Sequence, residues 1–216
     1  HSRRNMEAFL NHPAVQAGVA PFIVGLLVAL ALHRLRLGGL AVIAGFATAV
    51  WLIAGFTFLP LTATRKIVLL ALAAPIIGVL IDFAFKPTRL GAALIAVAAG
   101  VAVVWVFFPV LRQKELTQAL LVGGVAVLFV VWMVGFSLSA LADRPVQCAA
   151  AALMMGLGAG ALAIMGASAS YGQYSIALGA GAGAFLLVIM ITGRAHAGGA
   201  TLALTSSLAS GLLVVG

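Results

Sequence analysis

Ionisable side chains inside apolar runs are the first candidates for chemistry, and Asp82 is the clearest of them. Burying a charge away from water is costly, so a carboxylate in such a run either has a function or reaches water. Asp82 could carry a proton or bind a cation. Alternatively, Lys86 lies four residues later on the same helical face, and the two side chains could reach the membrane surface as a pair. We favour the pairing, and Asp82 stands as the candidate intramembrane polar site.

The other ionisable and nucleophilic side chains form no pattern typical of an active site. Glu115 and Asp143 lie between apolar runs, where loop or helix-capping roles explain them, and the lone Cys148 is explained as a small buried residue. The histidines, all at termini or between runs, are His1, His12, His33 and His196. No spacing matches a zinc, haem or phosphate-binding motif. We therefore expect no catalytic residue, no metal site and no cofactor, and we do not expect an enzyme.

Glycines in the last third of the chain predict a close contact between two helices. The glycines at G-x-x-x-G spacing are Gly156, Gly160, Gly179 and Gly183. Such spacing puts small residues on one helical face and lets two backbones approach within a membrane. Because the polar link at residues 168–175 is short, we expect antiparallel neighbours that cross near Gly158 and Gly181. Alternatively, one glycine face contacts another subunit or lines a substrate path.

Two prolines fall inside apolar runs, Pro21 in the first and Pro75 in the third. A proline within a helix frees a backbone carbonyl and can kink the helix. Such kinks can serve gating or substrate binding, but they also occur as plain packing features. We favour packing for both.

The composition defines the elements that must hold these residues. Of 216 residues, 64% are hydrophobic and 7% are charged, whereas soluble domains carry roughly 25% charged residues. Since a membrane-spanning helix needs about 20 apolar residues, the chain has room for about eight spans. The expected spans are residues 13–32, 38–58, 67–85, 90–111, 117–139, 146–167, 176–192 and 200–216. We predict an all-α, polytopic membrane bundle that forms a single transmembrane domain over residues 1–216.

Arginines recur at the start of alternate spans. They are Arg36, Arg89, Arg144 and Arg194, and they lie about 50 to 55 residues apart. This spacing is consistent with a repeated two-helix hairpin, as found in many transporters. The alternative is that any series of equal spans with short loops gives a similar period.

The charge of the chain indicates lipid rather than nucleic acid as its surroundings. The net charge is +8, but the basic residues are scattered singly or in pairs between apolar runs, as expected for loops near lipid headgroups. With eight spans, the 12 lysines and arginines divide equally between the two sides. If the residues before Met6 are not native, the balance places the N-terminus outside the cytoplasm. We expect a multi-pass protein of a bacterial inner membrane.

Two functions fit these observations. The many short-looped helices and the acidic residue within a span favour a small transporter or permease for an uncharged or weakly charged solute. The alternative is a non-catalytic structural or accessory subunit of a larger membrane complex, because few interior polar groups are evident beyond Asp82, Thr48, Ser137 and Ser139. The expected partners are the lipid bilayer and, for the second function, other membrane subunits.

Overall fold

All regular secondary structure in the described part of the chain is helical. The computed structural model describes residues 2–84, 88–166, 168–193 and 199–216, and no strand occurs in these ranges. Lys86, Arg194 and His196 lie outside them, so the pairing of Asp82 with Lys86 falls outside the described residues.

Nine α-helices make up these ranges, and short turns of other helical types extend two of them. The α-helices are α1 (Ser2–Leu10), α2 (Ala20–Leu32), α3 (Leu40–Ile53), α4 (Ala63–Ala84), α5 (Arg89–Leu111), α6 (Leu116–Phe136), α7 (Pro145–Met165), α8 (Ala169–Thr192) and α9 (Gly199–Val215). A π-helical turn, Val15–Val19, leads into α2, and a 3-10 turn, His33–Leu35, ends it. A second π-helical turn, Ser137–Leu141, extends α6.

Six of these helical segments are long and apolar enough to cross a membrane, which identifies a multi-pass membrane protein. They are Val15–Leu35, Ala63–Ala84, Arg89–Leu111, Leu116–Leu141, Pro145–Met165 and Ala169–Thr192. The expected count of about eight is not confirmed, because α3 and α9 have 14 and 17 residues. At 1.5 Å per residue they are about 21 and 26 Å long, less than the roughly 30 Å hydrocarbon layer.

Three helix ends differ from the sequence-based expectation by a turn or more. α4 begins at Ala63 rather than at 67, so Arg65 and Lys66 lie in its first turn. α3 ends at Ile53 rather than near residue 58, because Gly55 adopts a positive φ of 69° that leaves the helical path. α8 begins at Ala169 rather than at 176, so most of the expected polar link is helical. Tyr174 and Ser175 of this early part are buried. The polar residues at 169–175 therefore form the first turns of α8 inside the bundle and not a loop. Thr88 caps α5, and its side-chain oxygen accepts a hydrogen bond from the Gly91 N–H at 3.0 Å.

The bundle is arranged around its last helix. All residues from Gly199 to Leu213 of α9 are buried, and α9 packs against α3, α4, α6, α7 and α8. α8 is also largely buried, between α7 on one side and α2 and α3 on the other. α5 packs chiefly against α6, and both present large apolar side chains outward, as lipid-facing helices do.

The described helices do not pack as equivalent consecutive hairpins. α2 packs along α3, but α4 contacts α5 only slightly and packs along α9 instead. α5 packs along α6 and α7 packs along α8, and these are the pairs that follow Arg89 and Arg144, but α3 contacts α4 only slightly. The two-helix repeat therefore stays a prediction.

Candidate functional site

The N-terminus of α9 is capped by a side chain from α4. The Asp82 carboxylate accepts hydrogen bonds from the backbone N–H groups of Ala200 and Thr201, each at 3.0 Å. It also accepts one from the Thr201 hydroxyl at 2.7 Å. The first N–H groups of a helix lack partners within the helix, and the helix dipole favours an anion beside them. Asp82 therefore caps α9, although it lies 118 residues before Ala200.

Two glycines permit this approach of α4 to α9. On α4, Gly78 lies one turn before Asp82, and a Cβ there would come within 2.5 Å of the Thr201 Cα. At the start of α9, a Cβ on Gly199 would overlap the carbonyl oxygen of Ala142, just after the π-helical turn of α6. With no side chain at either position, the start of α9 fits between α4 and the end of α6. That fit brings the Asp82 carboxylate within hydrogen-bonding distance.

The sequence identified Asp82 but missed its partner. All of its hydrogen bonds to described residues come from α9, so the carboxylate oxygens face the bundle. These donors occupy lone pairs that a cation would need, so the geometry does not favour a cation site. The one available signal was Thr201, a hydroxyl residue near the start of the last apolar run.

The central helix is also rich in hydroxyl groups, which the sequence reasoning did not weigh. The buried hydroxyl residues of α9 are Thr201, Thr205, Ser206, Ser207 and Ser210. Ser206 and Ser207 donate to carbonyls one turn earlier in the same helix, at 2.6 and 2.5 Å. Two of the polar residues that the sequence did single out behave likewise, because Thr48 and Ser139 donate to the Ala44 and Gly135 carbonyls.

Three fully buried hydroxyls have no hydrogen-bond partner among the described residues. They belong to Thr205 and Ser210 of α9 and to Ser175 of α8. The end of α9 lies beside the start of α8, because a Cβ on Gly216 would meet the Tyr171 ring. Ser175 lies about 9 Å along α8 from its start, and Ser210 lies about 8 Å before the end of α9, so the two are at a similar depth. Thr205 lies nearer the middle of α9, and Thr201 lies at the far end with Asp82. Polar groups therefore occur along the whole length of the central helix.

The predicted glycine pair lies at a close contact between α7 and α8. A Cβ on Gly156 would overlap the backbone nitrogen of Gly179, so these two backbones touch. One turn further, a Cβ on Gly160 would lie 3.2 Å from the Gly172 carbonyl oxygen. Gly183 is more loosely packed, since its nearest neighbour is the Leu153 side chain at 3.4 Å.

The crossing point predicted near Gly158 and Gly181 is wrong. A Cβ on Gly158 would meet no atom within 4 Å, and Gly181 lies instead against Ala41 and Val42 of α3. Each helical residue advances the direction of the side chain by about 100°, so Gly158 points away from the face formed by Gly156 and Gly160.

The residues with metal-binding or nucleophilic side chains are dispersed. In the described ranges, no three His, Cys, Asp or Glu side chains are close enough to hold a metal ion. Cys148 is buried at the start of α7, with its sulfur 3.9 Å from the Gly199 carbonyl oxygen, so it packs beside the capped end of α9.

Comparison with protein-family models, curated proteins and solved structures gave no match for this chain. The geometry of α9 and its neighbours is therefore the basis for a functional proposal.

Proposed function

We propose that this membrane protein is a small transporter or permease for an uncharged or weakly charged solute, with the hydroxyl-bearing surfaces of α9 and α8 along its path. The observation that carries the proposal is the set of buried, unpartnered hydroxyls at Ser175, Thr205 and Ser210. Leaving a buried hydroxyl without a partner costs roughly 1–3 kcal/mol. A solute or water that passes along α9 would supply the missing hydrogen bonds.

The chemistry of these groups suggests the class of solute. Hydroxyls both donate and accept hydrogen bonds without carrying charge, which suits neutral polar molecules. The one carboxylate within a described span, Asp82, is engaged in capping α9 and is assigned no role in coupling to a cation. We assign no catalytic step to the chain, because the Thr201 hydroxyl, which donates to the Asp82 carboxylate, takes part in the cap of α9.

We further propose that α3 and α9 also cross the membrane, which makes eight spans in a bacterial inner membrane. A short central helix can span where protein rather than lipid surrounds it and caps its end. Asp82 provides such a cap for α9.

The alternative function, a non-catalytic subunit of a larger membrane complex, is favoured by one feature of the outer surface. α5 and α6 enclose an apolar groove of about 430 Å³. Gly124 lies in this groove, and a Cβ added to it would meet no described atom within 4 Å. The groove therefore has room for a closely packed neighbouring helix.

Solute permeation into vesicles tests the first proposal. Purified protein would be placed in liposomes, and the rate of re-swelling after an osmotic step with urea or glycerol would be followed by stopped-flow light scattering. We expect faster re-swelling than in protein-free liposomes for at least one neutral solute. Thr205→Val and Ser210→Ala should slow it several-fold, because each removes a hydrogen-bonding group from the path.

Ser139→Ala is the matched control, since the Ser139 hydroxyl bonds to its own helix and should not matter. The subunit function would be favoured if liposomes that contain the protein re-swell no faster than protein-free liposomes and the chain is isolated only together with stable partners.

A further inference from the structure

A partly enclosed cavity of about 150 Å³ lies where α3 ends and α4 begins. Its walls combine two kinds of side chain. Val50 and Val68 supply an apolar surface, while Thr57, Thr62 and Arg65 supply hydrogen-bond donors. This cavity is separate from the capped end of α9, because α4 carries Arg65 near its first turn and Asp82 near its last.

Arg65 is held in place by the cavity wall. Its guanidinium donates to the Pro60 carbonyl oxygen at 2.8 Å and to the Thr57 hydroxyl at 3.3 Å. A guanidinium has five N–H donors, so these two bonds fix its orientation and leave others available. None of the described residues that line the cavity is acidic, so Arg65 gives this lining a net positive charge.

Tyr174 of α8 provides a second polar group at the cavity. Its side chain is only 2% exposed and packs against Phe46, with ring centroids 5.8 Å apart. It lines the cavity, and its hydroxyl makes no side-chain hydrogen bond to another described residue. That hydroxyl is not one of the fully buried, unpartnered groups, so it is accessible from the cavity. The hydroxyl of its neighbour Tyr171, by contrast, accepts from the Thr64 hydroxyl at 3.2 Å.

We propose that this cavity binds a small monocarboxylate. The Arg65 guanidinium matches the fork geometry of a carboxylate, and the Tyr174 and Thr62 hydroxyls can donate to its oxygens. The apolar wall accommodates a short hydrocarbon tail. A cavity of about 150 Å³ can hold benzene, so the ligand should have about six heavy atoms. This inference goes beyond the proposed permease, because binding here does not require that the ligand cross the membrane.

Titration calorimetry on the full chain in phosphatidylcholine nanodiscs tests the proposal, with butyrate as the probe. We expect saturable binding of butyrate, and much weaker binding of its neutral isostere butyramide. Arg65→Gln should weaken butyrate binding at least about tenfold, because it removes a charge-assisted pair of hydrogen bonds. Tyr174→Phe, which retains the ring and its packing, should weaken it several-fold.

The matched control is Arg112→Gln, which removes an arginine outside the cavity, just after α5. Its butyrate affinity should equal that of the parent. Absence of saturable butyrate binding to the parent, or unchanged affinity in both Arg65→Gln and Tyr174→Phe, would overturn the proposal. Solute permeation through liposomes is measured separately, so failure of one proposal does not imply failure of the other.

Discussion

At the N-terminus of α9 a single carboxylate satisfies two backbone N–H groups and one hydroxyl. Sequence reasoning identified the residue, because an acid inside an apolar run is conspicuous. It did not identify the role, since the partners lie more than 100 residues away and are set by packing at Gly78 and Gly199. The sequence-based preference for a surface pair with Lys86 implied that replacing Asp82 would cost little. The cap implies a larger cost.

We expect Asp82→Ala to lower the free energy of unfolding by about 1–3 kcal/mol, because it leaves the first N–H groups of α9 unpaired in a buried site. Asp82→Asn should cost less, because its amide oxygen can still accept from the backbone. Unfolding of the purified protein with denaturant in mixed micelles measures both. Glu115→Gln is the control, since Glu115 makes no side-chain capping bond to α6. Equal stability of Asp82→Ala and the parent would contradict the capping role.

At the scale of the helices, the type of contact was easier to predict than its position. Glycine spacing indicated that α7 and α8 pack closely, but the crossing point depends on the rotation of each helix about its axis. Apolar residues surround both helices, so the sequence contains little information on that rotation. The polar start of α8 was mistaken for a loop because a polar stretch between two apolar runs usually indicates a link, and its buried Tyr174 and Ser175 were missed.

The glycine contact yields a prediction with an internal control. Gly156→Leu should strongly reduce the yield of folded protein, because any side chain there would enter the Gly179 backbone. Gly158→Leu should be tolerated, since its Cβ meets no described atom within 4 Å and the side chain would point outward. Size-exclusion chromatography of the two variants in mild detergent gives the comparison. Equal yields of monodisperse protein from both would contradict the contact.

At the scale of the whole molecule, composition alone was sufficient for the class of protein. So few charged residues cannot form a water-facing surface, and the six long apolar helices agree with that reasoning. The role of α9 was not predictable in this way. Its sequence predicted only a last span at residues 200–216, whereas the structure places it at the centre of the bundle with hydroxyls along its length.

Reagent access to α9 tests the proposed path most directly and needs no knowledge of the solute. Cys148 is the one cysteine of the chain, so Cys148→Ala provides a background for single cysteines. Thr205→Cys and Ser210→Cys place thiols on the path. Leu204→Cys is the control, because Leu204 lies two turns before Gly211, which faces Val130 of α6. All would be exposed in liposomes to methyl methanethiosulfonate, a small uncharged reagent that matches the proposed class of solute.

If solute moves along the hydroxyl-bearing surface of α9, the thiols at positions 205 and 210 will be modified at least about tenfold faster than the thiol at position 204. Only the thiolate reacts readily, and a thiol can ionise only where the path admits water. If all three thiols resist modification equally, α9 is a dry structural core, and the transport proposal is contradicted.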